Sequence, residues 1–183
     1  MARNGLRVIA YHEAGHAVAA WSLRVPLKEI VISKSCGKCM HTLILGPGFD
    51  PELMGKDDWA KAEKKAIVLF AGEVAEYLGG MLAEHDDDDD LAEEFNYAYN
   101  VSHESTEPGS DREEIKGLVQ LIFGDGETEA NEWIERSREK SMDILIKNWG
   151  KVCELSDVLL EKNILTGAEA ISIIETVTGF SKP

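Results

Sequence analysis

The sequence predicts a mainly α-helical fold with one small β-sheet, and three observations carry that expectation. Apolar residues recur at helical spacing over most of the chain, β-branched residues cluster in one short region after Pro26, and two Ser/Thr-x-x-Glu boxes mark helix starts. The 183 residues, 44% hydrophobic and 29% charged, suit one globular domain over 1–183, because single domains run to roughly 100–200 residues.

A first helix is expected over 6–23, with Val8, Ile9, Tyr11, Ala14, Val18 and Trp21 as its apolar face and Pro26 breaking it. The stretch from Leu27 to Ser33 is short and rich in Ile and Val, and Met40 to Leu45 follows a Cys36-Gly37-Lys38-Cys39 turn. A small hairpin or meander is the natural reading, ended by Gly46-Pro47-Gly48. Asp57 or Asp58 caps a long helix through Leu78 with Trp59, Ala62, Ala66, Leu69, Phe70, Val74 and Leu78 inward, and Gly79-Gly80 weakens or stops it. Ser110 and Glu113 form a capping box ahead of Ile115, Leu118, Val119 and Ile122, which places Asp111 at the first helical position. Gly124-Asp125-Gly126 terminates that helix. A long helix through Trp133, Leu145 and Trp149 follows, with a break near Gly150, and Thr166 with Glu169 opens the last one.

Charge excludes several classes of partner. Nineteen Lys and Arg against 34 Asp and Glu give a net charge of −15, so the summed field repels phosphate backbones and nucleic acid is not expected as a partner. No apolar run reaches the roughly 18–20 residues of a membrane span, and Met1-Ala2-Arg3-Asn4 leads into no signal-peptide core. No membrane span and a cytoplasmic location are therefore expected. Cys36, Cys39 and Cys153 are too few for a secreted disulfide framework. Between Glu84 and Glu94 lie eight acidic residues and no Lys or Arg, so self-repulsion predicts a flexible acidic insertion over 84–108. Such a strip near an active-site rim would attract basic substrate segments.

The densest chemistry is His12-Glu13-Ala14-Gly15-His16, inside the first predicted helix. Positions i and i+4 share a helix face about 5–6 Å apart, so two imidazole nitrogens can reach one ion while Glu13 projects beside them. Zinc suits such a pair: with a third ligand it keeps a position for water, which Glu13 can deprotonate as the water attacks a carbonyl. Chance supplies this H-E-x-x-H pattern about 0.016 times in a chain with 5 His and this Glu content. The ordinary alternative is a helix with two solvent-facing His. Gly15 costs roughly 1 kcal/mol relative to Ala in a helix, which is understandable if another backbone or a substrate must come close there.

Ala10-Tyr11-His12-Glu13-Ala14-Gly15-His16-Ala17 resembles the active-site helix of the FtsH-type zinc peptidases, the protease domain of membrane-anchored AAA proteases. Leu27 to Ile32 is similar to the edge strand that follows it, Ala71-Gly72-Glu73-Val74-Ala75-Glu76 to the family's A-G-x-A-A-E helix, and the segments from Leu145 to Glu169 to its closing helices. The resemblance covers nearly the whole chain. It implies a zincin-like metallopeptidase domain with a C-terminal helical bundle, a zinc ion held by His12, His16 and Asp111, and Glu13 as general base. Gly109-Ser110-Asp111 departs from the family in having Ser for Asn, and the stretch from Glu76 to Asp111 is longer than usual. The sequence contains no G-x-x-x-x-G-K-[ST] loop, so a stand-alone or excised peptidase domain is implied, without ATPase.

Alternatives remain open at several residues. Asp111 also fits as a plain acid stabilised by a helix N-terminus, and Glu73 and Glu76 are rival third ligands, Glu76 otherwise orienting a His. His41 and His103 read as solvent-facing. Cys36 and Cys39 read as a tight turn between strands rather than a metal or redox pair, since no second C-x-x-C exists. The leading expectation is a zinc endopeptidase that cleaves unfolded or loosely folded proteins or peptides, ATP-independent in itself, with substrate extended along a 30–32 edge. A separate unfoldase or a homo-oligomer are the candidate partners. The rivals are a non-catalytic metal-binding or pseudoprotease interaction module and an acidic protein that recognises a basic partner. No oxyanion-stabilising donor beyond the metal is legible.

Overall fold

The computed structural model describes residues 2–34, 36–41, 55–81 and 109–177. In chain order the elements are α1 (Ala2–Ser22), β1 (Leu27–Ile32), β2 (Gly37–His41), α2 (Lys56–Met81), α3 (Asp111–Phe123), α4 (Glu127–Lys147), α5 (Trp149–Lys162), β3 (Ile164–Thr166) and α6 (Gly167–Thr176). The fold is mainly helical, with one small antiparallel sheet of three strands among the described residues. None of the described helices is long and apolar enough to cross a membrane.

Small residues set the central packing. Ala10, Ala14, Ala17 and Val18 of α1 are fully buried, and α2 meets them with Ala66, Phe70, Ala71, Val74 and Ala75. A Cβ at Gly15 would collide with the Ala71 carbonyl oxygen and stand 2.6 Å from the Ala75 methyl, so the close approach expected at Gly15 is that of the α2 backbone. Around this pair, α4 packs on α2, α5 packs on α1, and α6 covers β1 and α5. Leu145, Val152, Leu155, Leu159 and Ile174 carry these contacts as fully buried side chains.

The sheet runs in the order β2-β1-β3, with Ile30 facing Cys39 on one side and Leu165 on the other. The 30–32 segment is therefore not an edge: its main-chain groups are already used by two antiparallel neighbours. Strand β3 escapes sequence reading because three residues are too few to show a period of two. The turn before β2 runs from Ser33 to Cys36, closed by Ser33 N–H to the Cys36 carbonyl at 2.7 Å, and Gly37 to Cys39 already belong to the strand. Three of the four residues of the Cys-x-x-Cys segment are thus strand. Residues 42–45 of the expected second strand lie outside the described residues.

Other differences have local causes. Helix α2 continues through Gly79 and Gly80, and at Gly79 the Tyr11 ring takes the space of a side chain, leaving only 2.8 Å for a Cβ. Trp59 is not inward but 40% exposed, resting edge-to-face on Phe123 with centroids 5.7 Å apart, and Val8 is 44% exposed. The break expected near Gly150 falls at Asn148, whose side chain donates to the Ile144 carbonyl at 2.9 Å. Both capped starts form: Ser110 accepts from Glu113 N–H, and Thr166 and Glu169 make a reciprocal box.

Replacing Gly15 by Ala should lower unfolding stability by about 1–3 kcal/mol, because the clash with α2 outweighs the roughly 1 kcal/mol gain in helix propensity. Urea denaturation of both forms measures the difference, and an unchanged midpoint would contradict the packing described.

Candidate metal centre

His12 and His16 lie one turn apart on α1, with their rings edge-to-face and centroids 4.5 Å apart. Their Nε2 atoms are 2.9 Å from each other, and the Asp111 Oδ2 is 2.9 Å from the first and 3.0 Å from the second. The opposite ring nitrogens are fixed from behind. His16 Nδ1 donates to the Val68 carbonyl at 2.6 Å, and His12 Nδ1 donates to Glu76 Oε1 at 2.5 Å. Because a carbonyl oxygen only accepts, a neutral His16 must present its Nε2 lone pair to the cluster, and the Glu76 carboxylate imposes the same tautomer on His12.

Three electron-rich atoms in van der Waals contact repel one another unless positive charge lies among them. The electrostatics express that demand. Burial opposes charge on His12, yet the carboxylates of Asp111 and Glu76 outweigh it and the imidazole is pushed up to about 10. Burial alone would raise Asp111, but the His16 and His12 rings hold its carboxyl well below the usual range. A donor set of two imidazole nitrogens and one carboxylate oxygen is typical of zinc, whose tetrahedral ligand atoms stand roughly 3.3 Å apart. The spacings here are a few tenths of an ångström shorter, within the adjustment that side-chain torsions allow. Among the described residues, His12, His16 and Asp111 are the one cluster of three or more such side chains able to take a metal.

Sequence-distant elements build this cluster. The Asp111 side chain arrives as the first residue of α3, with Gly109 at φ 81 turning the chain into the Ser110 cap and the Glu113 carboxylate accepting from Gly109 N–H. An ion pair between Arg112 and Glu73 ties this first turn to α2. Glu73 is therefore engaged by Arg112 and does not reach the cluster, whereas Glu76 reaches it only through the far side of His12.

Glu13 is 4% exposed, and its Oε2 has no hydrogen-bond partner among the described residues. Burial pushes its carboxyl up, with the His16 and His12 rings and a hydrogen bond from the Cys39 backbone pulling the other way. Strand β2 presses directly on it: a Cβ at Gly37 would collide with Oε1 and lie 2.5 Å from Cγ. Glycine is likewise required at position 72, where a Cβ would lie 2.6 Å from Nε2 of both His12 and His16. The sequence signal for both positions is only a glycine inside an otherwise helical or extended stretch, which marks close approach without naming what approaches.

A cleft of about 890 Å³ opens over these residues, walled by β2 on one side and by the Gly109–Glu114 turn on the other. His41, expected to face solvent, instead lines this cleft and is half-buried, its imidazole held below the ordinary value by burial and by His16 and Lys65. Cys36 is exposed, and Cys39 and Cys153 are partly buried, all three free. Burial, with Glu13 and Asp111 nearby, pushes the Cys39 thiol far up, so it is not poised as a thiolate. His103 and the 84–94 acidic run lie outside the described residues.

No family model matches the chain. Two curated proteins are similar to it over most of its length. The ATP-dependent zinc metalloprotease FTSH 3, mitochondrial, of Oryza sativa subsp. japonica is 25% identical over 183 aligned positions, covering 92% of this chain and 22% of that protein. The ATP-dependent zinc metalloprotease FtsH 3 of Symbiobacterium thermophilum is 24% identical over 188 positions, covering 92% of this chain and 29% of that protein. The chain thus spans less than a third of the length of either relative.

Gly72→Ala should leave helix content intact, since Ala favours helix by roughly 1 kcal/mol, while weakening zinc binding by at least the 10–100-fold typical of disturbed ligand support. Zinc retained per chain after dialysis against a graded chelator series reads this directly. Equal retention would mean that the imidazoles do not need the space Gly72 leaves.

Proposed function

We propose that the chain is a zinc-dependent endopeptidase domain acting on unfolded or loosely folded polypeptide, with residues 1–183 as one domain and 84–108 as an acidic insertion. The observation that carries this reading is the convergence of His12 Nε2, His16 Nε2 and Asp111 Oδ2 within 3.0 Å of one another beside a buried carboxylate on the same helix. Similarity to two proteins named as zinc metalloproteases supports it. ATP dependence belongs to the names of those longer proteins, and the proposal for this chain is hydrolysis that consumes no ATP.

In this reading His12, His16 and Asp111 hold the ion. Zinc held there supplies Lewis acidity, polarising a carbonyl oxygen and lowering the pKa of water to about 7. The remaining work is done by the chain. Glu13 accepts the proton of the attacking water at Oε2, the atom left without a partner among the described residues, and returns it to the nitrogen of the departing strand. Val68 and Glu76 keep both imidazoles in the tautomer that offers Nε2. Because β1 is enclosed, the substrate backbone adds to the outer edge of β2, which carries no strand on that side among the described residues. Gly37 lets that edge approach Glu13 without a side chain between them. Retention of a buried Glu13 disfavours the purely metal-binding module, since holding an ion needs no base.

Glu13→Gln should retain zinc and lower hydrolysis of an unfolded protein substrate by about 10²–10⁴-fold, whereas His16→Ala should lose both. Metal analysis beside a casein-type assay decides it, and an undiminished rate in Glu13→Gln would overturn the mechanism. Asp111→Ala should weaken zinc binding far more than Glu76→Ala, whose loss is expected near 10–100-fold. The reverse order would make Glu76 the ligand and Asp111 its support.

A further inference from the structure

The charged side chains around the cleft are unevenly satisfied. Glu76 is spent on His12, Asp111 on both imidazoles, and Glu114 on Lys65 at 3.0 Å. Lys28 and Lys38 line the same cleft, and neither joins an ion pair among the described residues. Their positions follow from the strands. The register steps from Leu27 opposite His41 to Glu29 opposite Met40, so Lys28 is the extra residue of a bulge, left out of the ladder on the β1 side. Bulges re-aim side chains, and this one delivers Lys28 to the cleft wall. Lys38 sits opposite Val31, directly after the glycine that abuts Glu13. Three strand steps separate Val31 from Lys28, roughly 10 Å at about 3.3 Å per residue. Lys28 and Lys38, neither ion-paired among the described residues, thus stand about three residues apart along the sheet wall beside which a peptide extended along β2 would lie.

We propose that Lys28 and Lys38 form an anion-selecting rim, so that the preferred substrates are acidic polypeptide segments with Asp or Glu on both sides of the bond to be cleaved. This rests on the peptidase reading above and reverses the preference for basic segments expected from the acidic run. The net charge of −15 does not decide the matter, because a distributed field is screened beyond about 8 Å at physiological salt, while charges on the cleft wall lie nearer to a bound peptide than most of the surface. Local charge selects what the overall charge repels.

The test uses short unstructured peptides identical except for Glu, Gln or Lys at the positions flanking the central bond. Binding to the zinc-loaded Glu13→Gln chain is followed by fluorescence anisotropy, and cleavage by the unmodified chain is followed in parallel. The Glu peptide should bind more tightly than the Gln peptide by roughly two- to fivefold per lysine at low salt, with the difference shrinking as salt rises. Lys28→Gln and Lys38→Gln should each remove their share of that preference, and both exposed positions tolerate the change without loss of the thermal melt. A carboxylate attracted by the metal alone would keep its advantage in the double variant, and that result overturns the proposal. So does equal or tighter binding of the Lys peptide. Cleavage without charge preference would leave the peptidase standing and the rim refuted, whereas acidic preference in binding with no cleavage of any peptide would refute the peptidase and uphold the rim.

Discussion

Helices α1 and α2 meet through Gly15, Ala71 and Gly72, and the arrangement of His12, His16 and Asp111 depends on how closely they do so. With no side chain between the backbones at Gly15, α2 comes near enough for the Val68 carbonyl and the Glu76 carboxylate to reach the Nδ1 atoms of the two imidazoles. With none at Gly72, the Nε2 atoms have room to converge. The same helix anchors Arg112 through Glu73 and so sets where α3 begins. One tight helix pair thus fixes the tautomers, the ring orientations and the arrival of the third side chain, and bulky substitution there would disturb all three at once.

Much of the helical framework was legible because helices announce themselves over many residues. The apolar stripe of α1, the caps at Ser110 and Thr166 and the stop at Gly124 are local signals, and local structure obeys them. What escaped depends on partners distant in sequence. Strand β3 exists because β1 offers it a second edge, and its three residues carry no period of their own. For the same reason β1 read as an edge when it is the middle of the sheet. Trp59 stays 40% exposed, because its ring rests on the half-buried Phe123 rather than entering the core.

For the cluster, the His12, Glu13 and His16 trio was visible because its members share one helix turn, and the capping box placed Asp111 at a helix start. Spacing could not say whether Glu73, Glu76 or Asp111 completes the set, because all three sit on helices whose mutual orientation is tertiary. The structure separates them by partner: Arg112 for Glu73, the back of His12 for Glu76, and both Nε2 atoms for Asp111. The place of His41 is hidden from the sequence for a similar reason. A histidine on a short strand looks ordinary until the strand is seen to form the wall of a cleft.

The Asp111 carboxylate meets residues 99 and 95 positions earlier in the chain. An ion gripping both ends would close that long loop, and cross-links that close long loops remove the most conformational entropy from the open chain. Bound metal would then act as a thermodynamic staple between the first helix and the C-terminal half. It would favour the folded state in proportion to the logarithm of ion concentration over affinity, because the open chain has no preformed site to compete. Availability of the ion would regulate the lifetime of the fold as well as its chemistry, which makes the half-life of the protein in a cell a readout of metal supply.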